Sequence, residues 1–128
     1  MDSKTRPGYR ENYNVNPQLV AENVLDENDN PTGGNVRLDG KTSDSPMLVV
    51  NWQSKPRKNA DGTLEEPNGA FVEDVIWAAL QRLEFFNEGK YRDRANSIAI
   101  THLEQALQAL KDRQLERSYR GVEGEHKV

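Results

Sequence analysis

The sequence predicts an α+β fold, a small N-terminal antiparallel β-sheet followed by a C-terminal antiparallel two-helix hairpin, carried in an oligomer. Three observations predict it. After Asn68 two stretches repeat apolar residues at the helical period, with only Gly89–Arg92 between them. Before Asn68 the chain breaks into short apolar runs separated by clusters of Gly, Pro, Asn and Asp. The first helix also carries more apolar surface than one hairpin can cover, which argues for a subunit interface.

In chain order, residues 1–18 read as an irregular arm, because Pro7, Gly8, Asn12, Asn14, Asn16 and Pro17 interrupt any period. Residues 19–67 hold the sheet and a polar loop. Val20–Leu25 is a short strand. The following DENDNPTGG is a turn signal, in which Asp and Asn bond their own backbone and Gly33 and Gly34 permit positive φ. Asn35–Leu38 alternates weakly as a second strand. Met47–Trp52, rich in β-branched and aromatic residues, is the best of the three. Residues 53–67 form a polar connection with Pro56 and Asp61-Gly62 as turn markers.

Residues 68–119 are the hairpin, and 120–128 a tail without apolar period, the whole making one structural domain. At about 100° per residue, Val72, Ile76, Ala79, Leu80, Leu83 and Phe86 fall on one stripe. Asn68 is the expected N-cap, Glu73 and Asp74 suit the positive helix end, and Gly89 is the natural stop, so the first helix is Asn68–Glu88. Asp93 caps the second, whose stripe is Ala99, Ile100, Leu103, Ala106, Leu107 and Leu110 and which runs to about Ser118. The short link forces an antiparallel pair. Left over are Phe71, Val75, Ala78 and Phe85 on a second face of the first helix, with Trp77 beyond the stripe.

Composition narrows the function. The 128 residues are 34% hydrophobic and 30% charged, with no cysteine, so disulfides, thiolate nucleophiles and sulfur-ligated zinc are excluded. The formal charge is -4 with neither half strongly basic, which argues against duplex nucleic acid as partner. Apolar runs are too short for a membrane span, and the opening MDSKTRPGYRENY lacks a signal's apolar core. His102 and His126 lack a third metal ligand in any recognisable spacing, and no cofactor is expected. Carboxylates such as Glu73/Asp74 and Glu84/Glu88 lie on polar helix surface, so no general acid and base stand out and no catalytic residue is assigned.

What remains suits holding a nucleotide without reacting it. Phe85, Phe86, Tyr91 and Tyr119 can stack on a base, Asn96 offers donor and acceptor together, and Arg113, Arg117 and Arg120, with Lys111 nearby, can pair with phosphates. The bland alternative is core packing for Phe86 and helix-dipole compensation for the arginines. Phe86 and Asn96 flank the turn, whereas Arg113 lies about 25 Å further along at about 1.5 Å per residue. One hairpin cannot bring all three to a small ligand; two packed antiparallel can, giving a site that occurs twice at a dimer interface.

The ordered blocks PNGAFVEDVIWAALQRLEFFN, ANSIAITHLEQALQAL and RGVEG-H, preceded by LVVNWQSKP and ENVLDENDNPTGG, resemble the phage anti-defence proteins that counter the Thoeris system and share a small domain with anti-CBASS proteins. The resemblance touches most of the chain after about residue 20. It implies a sponge in the cytoplasm of the infected bacterial host, binding a cyclic ADP-ribose-like signal and withholding it from the effector without cleavage, in a family whose members dimerise and often form hexamers. Some relatives also hold cyclic di- or trinucleotides. By this resemblance Phe86 matches the base-stacking aromatic, Asn96 the ligand-contacting asparagine and Arg113 the phosphate-binding arginine; Arg10 and Arg37 are both candidates for an N-terminal arginine. Glu125 departs from the small hydroxyl residue expected there. The alternatives are a direct protein-binding inhibitor of a host defence protein, an enzyme degrading cyclic nucleotides, and a structural phage protein.

Overall fold

A computed structural model describes residues 4–7, 18–40, 46–54 and 56–119. The chain forms two compact units that meet in sequence at Ala70 and Phe71. The first is a four-stranded antiparallel sheet in the order β1 (Lys4–Pro7), β2 (Val20–Leu25), β3 (Pro31–Asp39), β4 (Pro46–Asn51); the second is a hairpin of α1 (Val72–Glu88) and α2 (Arg94–Tyr119).

The α+β expectation holds, with local corrections. Lys4–Pro7 lies within the segment read as an irregular arm but pairs with β2, Lys4 opposite Leu25 and Pro7 opposite Glu22. Its proline closes the strand at a sheet edge, where a missing N–H is tolerated, and four residues are too few to show a period. The turn between β2 and β3 is Asp26–Asn30, where the Asp26 carboxylate accepts the Asn28 and Asn30 amides at 2.8 and 3.0 Å. Gly33 and Gly34 sit inside β3 instead of in the turn. Gly34, at φ 101°, lies where the β2–β3 register slips, and a Cβ there would overlap the Glu22 carbonyl. The strand therefore continues through residues that read as a breaker.

Trp52 leaves the sheet ladder and bridges to Ala70. The Ala70 amide donates to Asn51 O at 2.7 Å and the Gln53 amide to Ala70 O at 3.0 Å. This extended pairing displaces the expected N-cap at Asn68. Its side-chain oxygen instead accepts the Ser54 amide at 3.0 Å, while its own amide donates to Gln53 Oε1 at 2.8 Å. The helix starts one turn later, at Val72, where Asp74 accepts the Phe71 amide at 2.8 Å. Gly89 ends α1 as expected but in extended conformation, φ −104°, donating to Phe86 O.

Between the helices the core is thin. Leu80 is the one buried residue among those described, flanked by half-buried Ile76 and Leu83. On α2 the half-buried residues include Ala99, Ile100, Leu103, Ala106, Leu107 and Leu110, the expected stripe. The α1 stripe is corrected: Glu73, Glu84 and Asn87 share the half-buried side, whereas Val72, Ala79 and Phe86 face out. The apolar arc of α1 is wider than one partner helix covers, so α2 takes one flank and leaves the other.

Candidate functional site

The turn of the helical hairpin is built from side-chain to backbone hydrogen bonds. Asn87, in the last turn of α1, accepts the Asp93 amide at 3.1 Å and donates to Ser97 Oγ at 3.1 Å. Asp93 accepts the Ala95 amide at 2.7 Å, an N-cap that satisfies an otherwise orphaned helix donor. Asn96 donates through Nδ2 to Tyr91 O at 3.2 Å. The residues from Asn87 to Ser97 are thus cross-linked before any ligand arrives.

On this scaffold sits an aromatic cluster open to solvent. Phe86 is 36% exposed, and its ring meets Tyr91 edge-on at 6.1 Å between centroids and 82° between planes. Phe85 is 65% exposed and tilted against Phe86 at 6.2 Å. The Arg82 guanidinium lies 4.6 Å from the Phe86 centroid and 5.6 Å from that of Phe85, and the Lys90 ammonium 5.4 Å from Tyr91. Edge contacts and cations restrict the rings while leaving aromatic surface in water. That is suited to stacking a planar ligand.

Tyr91 joins two of the residues expected at the site: its ring touches Phe86 and its carbonyl holds the Asn96 amide. Phe86 is partly covered, at 36% exposure against 7% for Leu80, so packing and an open ring surface coexist at this residue. Arg113 is exposed on α2 far from the turn. Since α1 has 17 residues and α2 has 26, α2 outruns its partner by about 13 Å at about 1.5 Å per residue, and Arg113 belongs to this overhang. Tyr119, at its end, is 91% exposed. Arg37 lies in the sheet unit, on β3, with its Nε donating to Asp39 Oδ1 at 2.8 Å. Arg10 and Arg120 lie outside the described residues.

Arg82 and Lys90 were not singled out from the sequence, although the spacing of Arg82 to Phe86, four residues along a helix, was a usable signal. Asn87 was missed as well. Its bonds close across the turn onto Asp93 and Ser97, which a helical period does not reveal. Among the described residues no His, Asp and Glu cluster could hold a metal ion, and no helix is long and apolar enough to cross a membrane.

Comparison with known proteins adds to this geometry. Residues 53–114 match the Acb2/Tad1 hairpin domain, a span that includes the whole of α1, the turn and most of α2. The chain is also 36% identical over 94 residues to a protein of Bacillus phage SBSphiJ7 described as Thoeris anti-defense 1. The similarity covers 73% of this chain and 63% of that protein.

Proposed function

Because the chain belongs to the Acb2/Tad1 hairpin-domain family of anti-Thoeris phage proteins, we propose that it is an anti-defence sponge that binds a cyclic ADP-ribose-type immune signal in the cytoplasm of the infected host and sequesters it uncleaved. The observation that carries this reading is the cross-linked turn with its exposed Phe86 and Tyr91 and its half-buried Asn96. Phe86 stacks on the base, Asn96 supplies a directional contact through the groups that Tyr91 O leaves free, and Arg113 pairs with the pyrophosphate through its donor fork. Arg10, Arg37 and Arg120 are secondary candidates for anion contacts.

The site takes two chains. Arg113 sits on the overhang, remote from the turn of its own hairpin, while an antiparallel neighbour brings its turn to that overhang. Exposed apolar side chains of α1, Val72 at 52%, Trp77 at 57% and Phe85 at 65%, give such a dimer apolar surface to bury. Assembly into hexamers and capture of cyclic di- or trinucleotides belong to the same proposal.

The test is capture: incubation with a lysate containing Thoeris signal, filtration, heat release and mass analysis. Recovery of an intact cyclic ADP-ribose-type molecule supports the sponge; a new product growing with time supports degradation instead. The exposed Trp77 and Phe85 also favour a second reading, direct inhibition of a host defence protein, since buried aromatics dominate protein interfaces. Capture of a defence polypeptide with no nucleotide released would select it.

A further inference from the structure

Arg82 has an unusual position for a helix-surface arginine. The residues three and four positions away on α1 are Ala78, Ala79, Phe85 and Phe86, so no carboxylate is spaced to pair with it within the helix. Among the described residues its recorded partners are the rings of Phe86 and Phe85, at 4.6 and 5.6 Å from the guanidinium carbon. Attraction to a ring face leaves the five N–H donors of the guanidinium unspent. A full positive charge therefore stands over one face of the proposed base platform with its hydrogen-bonding capacity in reserve, and a base would stack on the opposite face.

A nucleotide joins an aromatic base to an anionic phosphate through a sugar, and a stacking ring beside an unpaired cation is complementary to both parts. We propose that Arg82 contacts the phosphate of the nucleotide whose base stacks on Phe86, so that one helical turn supplies both the platform and an anion partner. The assignment rests on the stacking reading above and adds to it: recognition of the anion begins on the same helix as the ring, with Arg113 completing it from elsewhere. A planar guanidinium also suits the role better than an ammonium, since it lies over an aromatic face while directing two donors at a phosphate.

Calorimetric titration with cyclic ADP-ribose, repeated across a sodium chloride series, tests this with wild type, Arg82→Met and Arg82→Lys. Methionine keeps an unbranched stem and helix propensity while removing charge and donors, and circular dichroism checks that both variants remain helical. Arg82→Met is expected to weaken binding by about tenfold or more, the loss of one charge-assisted contact, and to flatten the decline of affinity with salt. Arg82→Lys is expected to retain the salt dependence and lose less. Unchanged affinity in Arg82→Met would overturn the assignment, as would weaker binding with an unchanged salt dependence, which would make Arg82 a prop for the Phe86 ring. These outcomes leave the stacking reading standing. Absence of cyclic ADP-ribose binding by wild type counts against that reading and takes the Arg82 assignment with it.

Discussion

At the turn of the helical hairpin, Asn87, Asp93, Asn96 and Ser97 are tied into a hydrogen-bonded frame around Phe86 and Tyr91. At the far end, Lys111–Tyr119 run beyond the reach of α1 as a single helix whose residues are exposed except for Arg117. The turn is ordered by its own sequence neighbours. The overhang holds Arg113 and, in the proposed shared pocket, is where the turn of a neighbouring hairpin would lie. Preorganisation lowers the cost of binding by ordering groups beforehand, so the difference teaches that the turn is ordered locally, and under the proposed shared pocket its completion by Arg113 would wait on assembly.

The span between the two ends depends most on Leu80, so its loss should have the largest effect. Leu80→Ala is expected to destabilise by about 2–5 kcal/mol, the range for emptying a buried leucine site, whereas Glu104→Ala on exposed α2 surface should stay within about 0.5 kcal/mol. Chemical denaturation compares them, and equal midpoints would show that the two ends are not held by this contact. For Leu103→Ala, at a half-buried position on the α2 stripe, an intermediate loss is expected.

Next in size is the effect that joins the two ends. Phe86→Ala and Arg113→Ala should each weaken nucleotide binding, the former by about 1–3 kcal/mol from lost stacking. In a mixed dimer of the two variants one pocket carries both defects and the other neither, so about half of its sites should recover wild-type affinity by the symmetry of the arrangement. Calorimetry on the purified mixed dimer decides it; if both parents are folded and dimeric and no tight site returns, the ends do not meet across subunits.

A smaller contrast is local stability. Asp93→Ala removes the α2 cap and should cost about 1 kcal/mol. Asp112→Ala, near the far end, loses the Gln108 Nε2 contact at 2.9 Å within the helix and should cost about 0.3 kcal/mol. Amide exchange around Ala95 and around Asp112 would read each; similar losses at both would erase the distinction between framed turn and bare overhang.

The smallest expected effect lies in the sheet unit and asks whether a polar frame like the turn's recurs there. Asp61 accepts the Thr63 hydroxyl at 2.6 Å and its amide at 3.0 Å, and these bonds hold its carboxyl below the ordinary 3.8. A depressed folded pKa contributes stability that is present above the unfolded value and lost as pH falls through the folded one. The 57–65 loop should therefore keep Thr63 amide protection down to about pH 4 and lose it below, an acid-side transition that Asp61→Asn should abolish. Unchanged Thr63 protection through that range in the wild type would remove the resemblance to the turn.

Periodicity and turn chemistry by themselves determined the two helices, the stop at Gly89, the cap at Asp93, strand β2 and the α2 stripe. Each depends on neighbours a few residues apart, where local geometry leaves few choices. The ordered blocks likewise marked the family and three candidate ligand residues, of which Phe86 and Asn96 are brought to one turn. Tertiary structure decided what distant partners set. Pairing of Ala70 with the Asn51–Gln53 backbone moved the helix start from Asn68 to Val72. Pairing with β2 made a strand of Lys4–Pro7 and carried β3 through Gly33 and Gly34. The choice of one flank of α1 by α2 buried Leu80 and left Val72 and Ala79 of the expected stripe exposed, because an apolar arc wider than one neighbour states only that something is buried, and the packing decides which side.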